Sequence, residues 1–169
     1  MTSKTPQVQP LLAAMANTLR QFLDGNDREE PLFIGIHTGG TWIAQALHQA
    51  LAAAQPLGEL NIAFYRDDFS RIGMHPRVTP SNLPFDVEGR HIVLVDDVLY
   101  TGRTIRAAMN EIFDYGRPAS ITLAVLIDRG GRELPIQADV TGKTLQLKPG
   151  EHVKLLGPEP LALEISKTI

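Results

Sequence analysis

The apolar positions fall into short continuous runs separated by amphipathic stretches, an order that predicts strands alternating with helices. Leu11, Leu12, Met15, Leu19, Phe22 and Leu23 recur at helical spacing over residues 10–24, and Gly25 ends the pattern. Residues 32–36, Leu-Phe-Ile-Gly-Ile, make a run of strand length. Gly39 and Gly40 follow, and Trp42, Ile43, Ala46, Leu47 and Leu51 then mark an amphipathic helix ending before Pro56, with Trp42 expected in the core. Residues 60–65, 92–95 and 121–127 predict further strands, the last two apolar enough for burial on both faces. Between those two, Ile105, Ala107, Ala108, Met109, Ile112 and Phe113 trace one side of a helix that Gly116-Arg117-Pro118 terminates. Such alternation implies right-handed crossovers and an α/β fold with a mainly parallel sheet, in a single domain over residues 1–169. Residues 66–89 carry prolines, glycines and arginines without a period, and a break of that length predicts a functional flap. Beyond Asp128, short strand-like pieces occur at 153–156 and 161–165.

Composition narrows the classes. A chain of 169 residues with 43% hydrophobic and 21% charged residues is an ordinary globular domain. It has no cysteine, which excludes disulfides, thiolate metal sites and cysteine nucleophiles. A net charge of −3 argues against indiscriminate nucleic-acid binding but leaves room for a local basic face. With no apolar run of membrane-spanning length and a polar first ten residues, a cytoplasmic protein with no membrane partner is expected.

The chemistry concentrates in residues 92–104, I-V-L-V-D-D-V-L-Y-T-G-R-T. Asp96 and Asp97 fall at the carboxyl end of a buried strand, where open α/β sheets place their ligands. After Val98, Leu99 and Tyr100, the residues Thr101, Gly102, Arg103 and Thr104 open a helix, whose unpaired N–H groups and positive dipole end attract an anion. Gly102 permits close backbone approach, and the threonine hydroxyls add donors. An acidic pair beside such a cradle would repel a lone phosphate. It suits a ligand with phosphate at one end and sugar hydroxyls or a divalent metal nearby, which describes a sugar phosphate. The chain has no G-x-x-x-x-G-K-[ST] run, so a P-loop nucleotidase is excluded.

These thirteen residues resemble the 5-phosphoribosyl-1-pyrophosphate (PRPP) motif of type I phosphoribosyltransferases. The resemblance implies that family's fold: a central sheet flanked by helices, the flap, and a small hood of residues 128–148 with terminal segments. It also implies that Val98, Leu99, Tyr100, Thr101, Gly102, Arg103 and Thr104 hold the 5′-phosphate. Asp96 and Asp97 would take the ribose hydroxyls and face the charge that develops on the ring. Mg²⁺ would be carried mainly by substrate oxygens and reach Asp96 and Asp97 indirectly. His37-Thr38-Gly39-Gly40 closes one strand and opens the next helix. By the same resemblance Thr38 and Gly39 would hold pyrophosphate through backbone amides, whereas His37 has the simpler role of a packed or solvated side chain.

A narrower likeness rests on three blocks. Tyr65-Arg66-Asp67-Asp68-Phe69-Ser70, the V-D-D-V-L-Y-T-G-R-T run, and residues 116–139 with the following Thr141-Gly142-Lys143 together resemble the PyrR family over about residues 30–145. Members are uracil phosphoribosyltransferases that also act as attenuation regulators of pyrimidine operons. The resemblance implies attack of uracil N1 on the anomeric carbon of PRPP, giving UMP and pyrophosphate through an oxocarbenium-like transition state. Catalysis would be chiefly positioning and charge stabilisation. Arg66 is the first choice among the flap arginines Arg66, Arg71 and Arg77 to neutralise the leaving pyrophosphate. Ile127, Asp128 and Arg129 would meet the base, although ion pairs of Asp128 with Arg132 or Arg129 with Glu133 explain those charges equally well. Tyr100 stands where purine enzymes commonly carry an aspartate, which argues against a purine base; simple packing on the sheet is the other account of it. Expected partners are PRPP, uracil, UMP and an mRNA leader, with the chain itself as a homodimer or higher oligomer. The C-terminal residues Leu155, Leu161, Leu163 and Ile165 exceed what a small hood needs and point the same way.

Two departures matter. Familiar regulators of the family carry T-R-G in the pyrophosphate loop, and here Gly39 follows Thr38. The first helix offers only Arg20 where the family has a basic face, with Lys143, Lys148, His152 and Lys154 scattered further on. Two rival functions therefore stand beside the enzyme: an RNA-binding regulator that keeps the pocket only as a nucleotide sensor, and a purine phosphoribosyltransferase.

Overall fold

The structure is a computed structural model that describes residues 4–62 and 81–168. Its elements are α1 (Val8–Gly25), β1 (Leu32–Ile36), α2 (Gly39–Ala50), β2 (Gly58–Leu60), β3 (His91–Leu99), α3 (Arg103–Tyr115), β4 (Ser120–Asp128), β5 (Val140–Thr144), β6 (Glu151–Leu156) and β7 (Ala162–Lys167). The first five strands form one parallel sheet in the order β2-β1-β3-β4-β5, and β6 and β7 pair as an antiparallel hairpin.

Helices cover both faces of the sheet, which is why its central strands are apolar without alternation. Phe33, Val93, Val95, Ala124 and Leu126 point into a core with Met15 and Leu19 of α1 and Ile43 and Leu47 of α2. Their neighbours Ile34, Ile36, Leu94, Leu123 and Val125 point the other way, against Ile105, Ala108 and Ile112 of α3. The chain runs outward from β1 to β2 and then returns to β3 on the opposite side of β1. The carboxyl ends of β1 and β3 therefore flank the topological switch point, where sheets of this kind open a crevice for a ligand.

Several elements differ from the sequence-based expectation. β3 continues past its apolar run and takes in Asp96 and Asp97, because β4 stays in register with it as far as Leu99 opposite Asp128. β2 begins at Gly58 rather than Leu60, and residues 63–65 of the expected strand lie outside the described residues. A side chain at position 58 would meet the ring of Phe85 at 2.8 Å, so the missing β-carbon is what lets the chain pair there. Residues 81–89, expected in the flap, are anchored: Val87 is fully buried, and Leu83 and Phe85 pack on the α3-side core. The segment expected as a hood sends β5 to the edge of the main sheet instead. Only Val140 of that strand is buried, and hydrogen bonding to β4 rather than its own hydrophobicity makes it a strand. Leu155 and Leu163 of the hairpin are buried in the chain's own core, with Leu161 and Ile165 against it. Their apolar surplus thus needs no second protomer. Trp42 is half-buried on the same core and lies beside Gly157.

Candidate active site

The β1 loop meets the acidic pair at the switch point. The β1–β2 pairing carries on to the N–H of His37, which donates to the carbonyl of Leu60 at 2.8 Å. The His37–Thr38 peptide is cis. The Thr38 hydroxyl is hydrogen-bonded to Nδ1 of His37 at 2.9 Å and does not cap α2. Gly39 and Gly40 open α2 directly against β3. A β-carbon on Gly40 would lie 2.7 Å from the carbonyl oxygen of Val95, and one on Gly39 would lie 2.8 Å from Cγ of Asp97. The two glycines are therefore what permits the loop to touch the carboxylates.

The carboxylates are not equivalent. Asp96 is buried, and its Oδ1 accepts the N–H of Asp97 at 2.8 Å. Asp97 is half-buried, and its Oδ1 accepts the N–H of Val98 at 2.8 Å, leaving Oδ2 against Gly39. Each carboxylate accepts the amide of the next residue, a local tie that helps fix its direction. Among the described residues no group of three or more His, Cys, Asp or Glu side chains is arranged to hold a metal ion.

The loop of residues 101–104 leaves β3 after Tyr100. Gly102 has φ +93°, in the left-handed region, and a β-carbon there would stand 3.0 Å from the side chain of Ile136. The N–H of Arg103 donates to the Thr101 hydroxyl at 3.2 Å, so that amide is already engaged. The N–H groups of Thr101 and Gly102 have no recorded acceptor among the described residues. Thr104 is half-exposed on the first turn of α3. Val98 and Leu99, expected to touch phosphate, send their side chains into the two cores instead, because the strand still alternates at those positions.

On the side expected to meet the base, Ile127 is fully buried and only its backbone is available. Asp128 pairs with Arg132 at 2.6 Å and accepts the N–H of Gly130 at 2.9 Å. Burial pushes its carboxyl up, but the Arg132 and Gly130 hydrogen bonds and the Arg132 charge outweigh this and hold it below the usual carboxylate range. Arg129 does not pair with Glu133. Its guanidinium lies over the ring of Tyr100, 3.9 Å from the centroid, and Glu133 binds Arg103 at 3.0 Å. Tyr100 is thus half-exposed beneath a cation rather than packed on the sheet. Sequence reasoning passed over Gly131 and Ile136, which touch Tyr100 and Gly102. It gave Arg132 only an ion pair; the R-E-L-P run in which it stands was the available signal. Arg66, Arg71 and Arg77 lie outside the described residues. A cleft of about 440 Å³ lies near the amino end of β1, lined by Arg20, Arg28, Phe33 and Arg90, and none of the motif residues border it.

A parallel sheet with an acidic pair at its switch point fits a phosphoribosyltransferase, and residues 7–156 match the phosphoribosyl transferase domain family. Among solved structures, a hypoxanthine phosphoribosyltransferase from Staphylococcus aureus superposes with a TM-score of 0.65 over 89% of this chain and 81% of that one. At 18% identity this likeness concerns the fold. Sequence relatives are much nearer. The Bifunctional protein PyrR of Nitrosococcus oceani is 61% identical over 94% of this chain and 90% of its own length. That of Pseudomonas paraeruginosa is 59% identical over 94% of both. The chain belongs to the PyrR family.

Proposed function

We propose that the chain forms UMP and pyrophosphate from uracil and PRPP, and regulates pyrimidine gene expression according to nucleotide supply. The observation that carries the transferase reading is the meeting, at one strand end, of the Asp96–Asp97 pair, the Thr38–Gly39 loop and the open amides of Thr101 and Gly102. Uracil N1 bonds to the anomeric carbon as the bond from that carbon to pyrophosphate breaks, and the N1 proton is released to solvent or to the departing pyrophosphate. Thr101 and Gly102 anchor the 5′-phosphate, with Arg103 and Thr104 at the first turn of α3. Asp97, the more exposed carboxylate, takes the ribose hydroxyls and faces the developing positive charge, and buried Asp96 adds to the negative field. Thr38 and Gly39 border the leaving pyrophosphate, with Arg66 as its cation. Arg129 and Asp128 border the base.

The Asp96–Asp97 pair, with no cluster of three His, Cys, Asp or Glu side chains among the described residues, suits a Mg²⁺ ion that PRPP oxygens would carry and that would reach the two carboxylates indirectly. Bound there, the ion would neutralise charge on the pyrophosphate. The protein's own contribution is to hold sugar, phosphate and base in attacking geometry.

Uracil is favoured over a purine by Tyr100, which stands in the sequence where purine enzymes commonly carry an aspartate and whose ring lies under Arg129. Incubating the protein with labelled uracil, PRPP and Mg²⁺, with hypoxanthine and guanine in parallel, tests this. UMP is the expected product, and turnover of the purines alone would reject the reading. The regulatory half rests on family membership, with an mRNA leader as the partner and UMP as the signal. Assembly as a homodimer is part of the same proposal. Among the described residues no helix is long and apolar enough to cross a membrane.

A further inference from the structure

Residues 129–136 lie across the phosphate loop, tied to it mainly through backbone. The carbonyl of Leu99 accepts the N–H of Arg129 at 3.1 Å, and the carbonyl of Thr101 accepts those of Glu133 and Leu134 at 2.9 and 3.2 Å. One side chain completes the strap. The guanidinium of Arg132 donates from Nη1 to the Tyr100 carbonyl at 2.8 Å, from Nη2 to Asp128 Oδ2 at 2.6 Å and from Nε to the Ile136 carbonyl at 2.7 Å. A single planar cation thus joins the end of β4, the end of β3 and the returning loop. It is mostly buried, with 23% of its side chain exposed, so water competes poorly for these bonds.

The consequence lies in the peptide planes. The Tyr100–Thr101 and Thr101–Gly102 peptides are trans, so in each the N–H points away from the C=O. Arg132 holds the Tyr100 carbonyl on the strap side, which turns the Thr101 N–H to the opposite side. The Glu133 and Leu134 amides hold the Thr101 carbonyl, which turns the Gly102 N–H away in the same manner. Neither of these amides has an acceptor among the described residues. Ile136, 3.0 Å from the place a Gly102 β-carbon would take, seats the strap on the loop.

We infer that Arg132 is a positioning residue for the transfer reaction: by fixing the Tyr100 carbonyl it aims the Thr101 amide at the 5′-phosphate, and the 133–134 amides do the same for Gly102. Arg132 itself touches no substrate. Because its fork serves three acceptors at once, lysine cannot replace it in full. The inference rests on the transferase reading above, in which this loop holds the 5′-phosphate.

Its test compares binding of UMP with binding of uridine, which lacks only the phosphate, by titration calorimetry on the full chain. Wild type is expected to prefer UMP strongly. In Arg132→Met the UMP-to-uridine preference should fall about tenfold or more, since the bond that orients the Thr101 amide is lost, while release of Asp128 beside the base affects uridine and UMP alike and cancels in the ratio. Arg132→Lys should fall between, and KM for PRPP should rise in both variants. Circular dichroism establishes whether Arg132→Met is folded; if it is not, Arg132→Lys carries the comparison. A preserved preference in a folded variant, or an equal loss of uridine and UMP binding, would overturn the inference and leave the transferase reading standing. A wild type indifferent to the phosphate would overturn both.

Discussion

Gly39 lies so close to Asp97 that a β-carbon added to it would fall 2.8 Å from the carboxyl carbon. With Asp97 placed as it is, a side chain at position 39 fits only if the carboxylate or the loop shifts. In Gly39→Ala the carboxylate must move or the loop must back away, and a displacement of that order at a reacting centre is expected to cost about tenfold or more in kcat/KM. Steady-state kinetics with PRPP varied checks this; an alanine variant as active as wild type would show that the contact does not constrain the site.

The acidic pair should divide by burial. Asp97→Asn removes a charge that acts mainly in the transition state, so kcat/KM is expected to drop by about 10²-fold with little change in UMP affinity. Asp96→Asn alters a buried group whose oxygen holds the Asp97 amide, so thermal stability should fall with activity. Near-normal UMP formation by a double variant would mean the ribose binds elsewhere.

Gly102→Val tests the anion cradle. The left-handed φ and the 3.0 Å approach of Ile136 both oppose a branched side chain, so UMP binding should be lost. The backbone strain costs on the order of 1–2 kcal/mol, which lowers Tm without unfolding the domain. Unchanged UMP affinity in this variant would sink the phosphate assignment.

The Asp128–Arg132 pair sets a pH dependence with a definite sign. The Asp128 carboxyl is held below its ordinary value in the folded chain, so its contribution to stability is complete above the unfolded value of about 3.9. It is lost as pH falls through the depressed folded value. In Arg132→Met burial is opposed only by the Gly130 hydrogen bond, and the carboxyl should titrate at higher pH. Carbon-detected NMR of the Asp128 carboxyl follows the shift; a midpoint unmoved by the substitution would show that Arg132 is not its cause.

RNA binding, if it follows the family, has few cations to use. Arg20 on α1 already donates to the Ala50 carbonyl at 3.0 Å, leaving Lys143, Lys148 and Lys154 as exposed charges toward the C-terminus. A salt titration with a pyrimidine-operon leader RNA is expected to release on the order of two to four counterions, and UMP should tighten the complex. Tight binding at physiological salt with a steep slope would reverse this expectation.

The parts legible in the sequence were those encoded by neighbours along the chain. Continuous apolar runs marked β1, β3 and β4 because strands buried on both faces need no polar alternation, and 3.6-residue spacing marked the three helices. The order Asp96-Asp97, then Thr101-Gly102, located the site because a strand end, a turn and a helix N-terminus are consecutive in sequence. What the tertiary structure decided depends on residues far apart. β5, with one buried residue, becomes a strand only by pairing with β4. The C-terminal leucines, which pointed to a second protomer, are consumed by the core beneath α1 and α2. Gly39 packs against Asp97, and Glu133 pairs with Arg103 while Arg129 lies over the face of Tyr100. Arg132 acquired its role in the same way. Three acceptors at positions 100, 128 and 136 converge on one guanidinium only after β3 and β4 have aligned side by side, and no local pattern records a convergence that the sheet register creates.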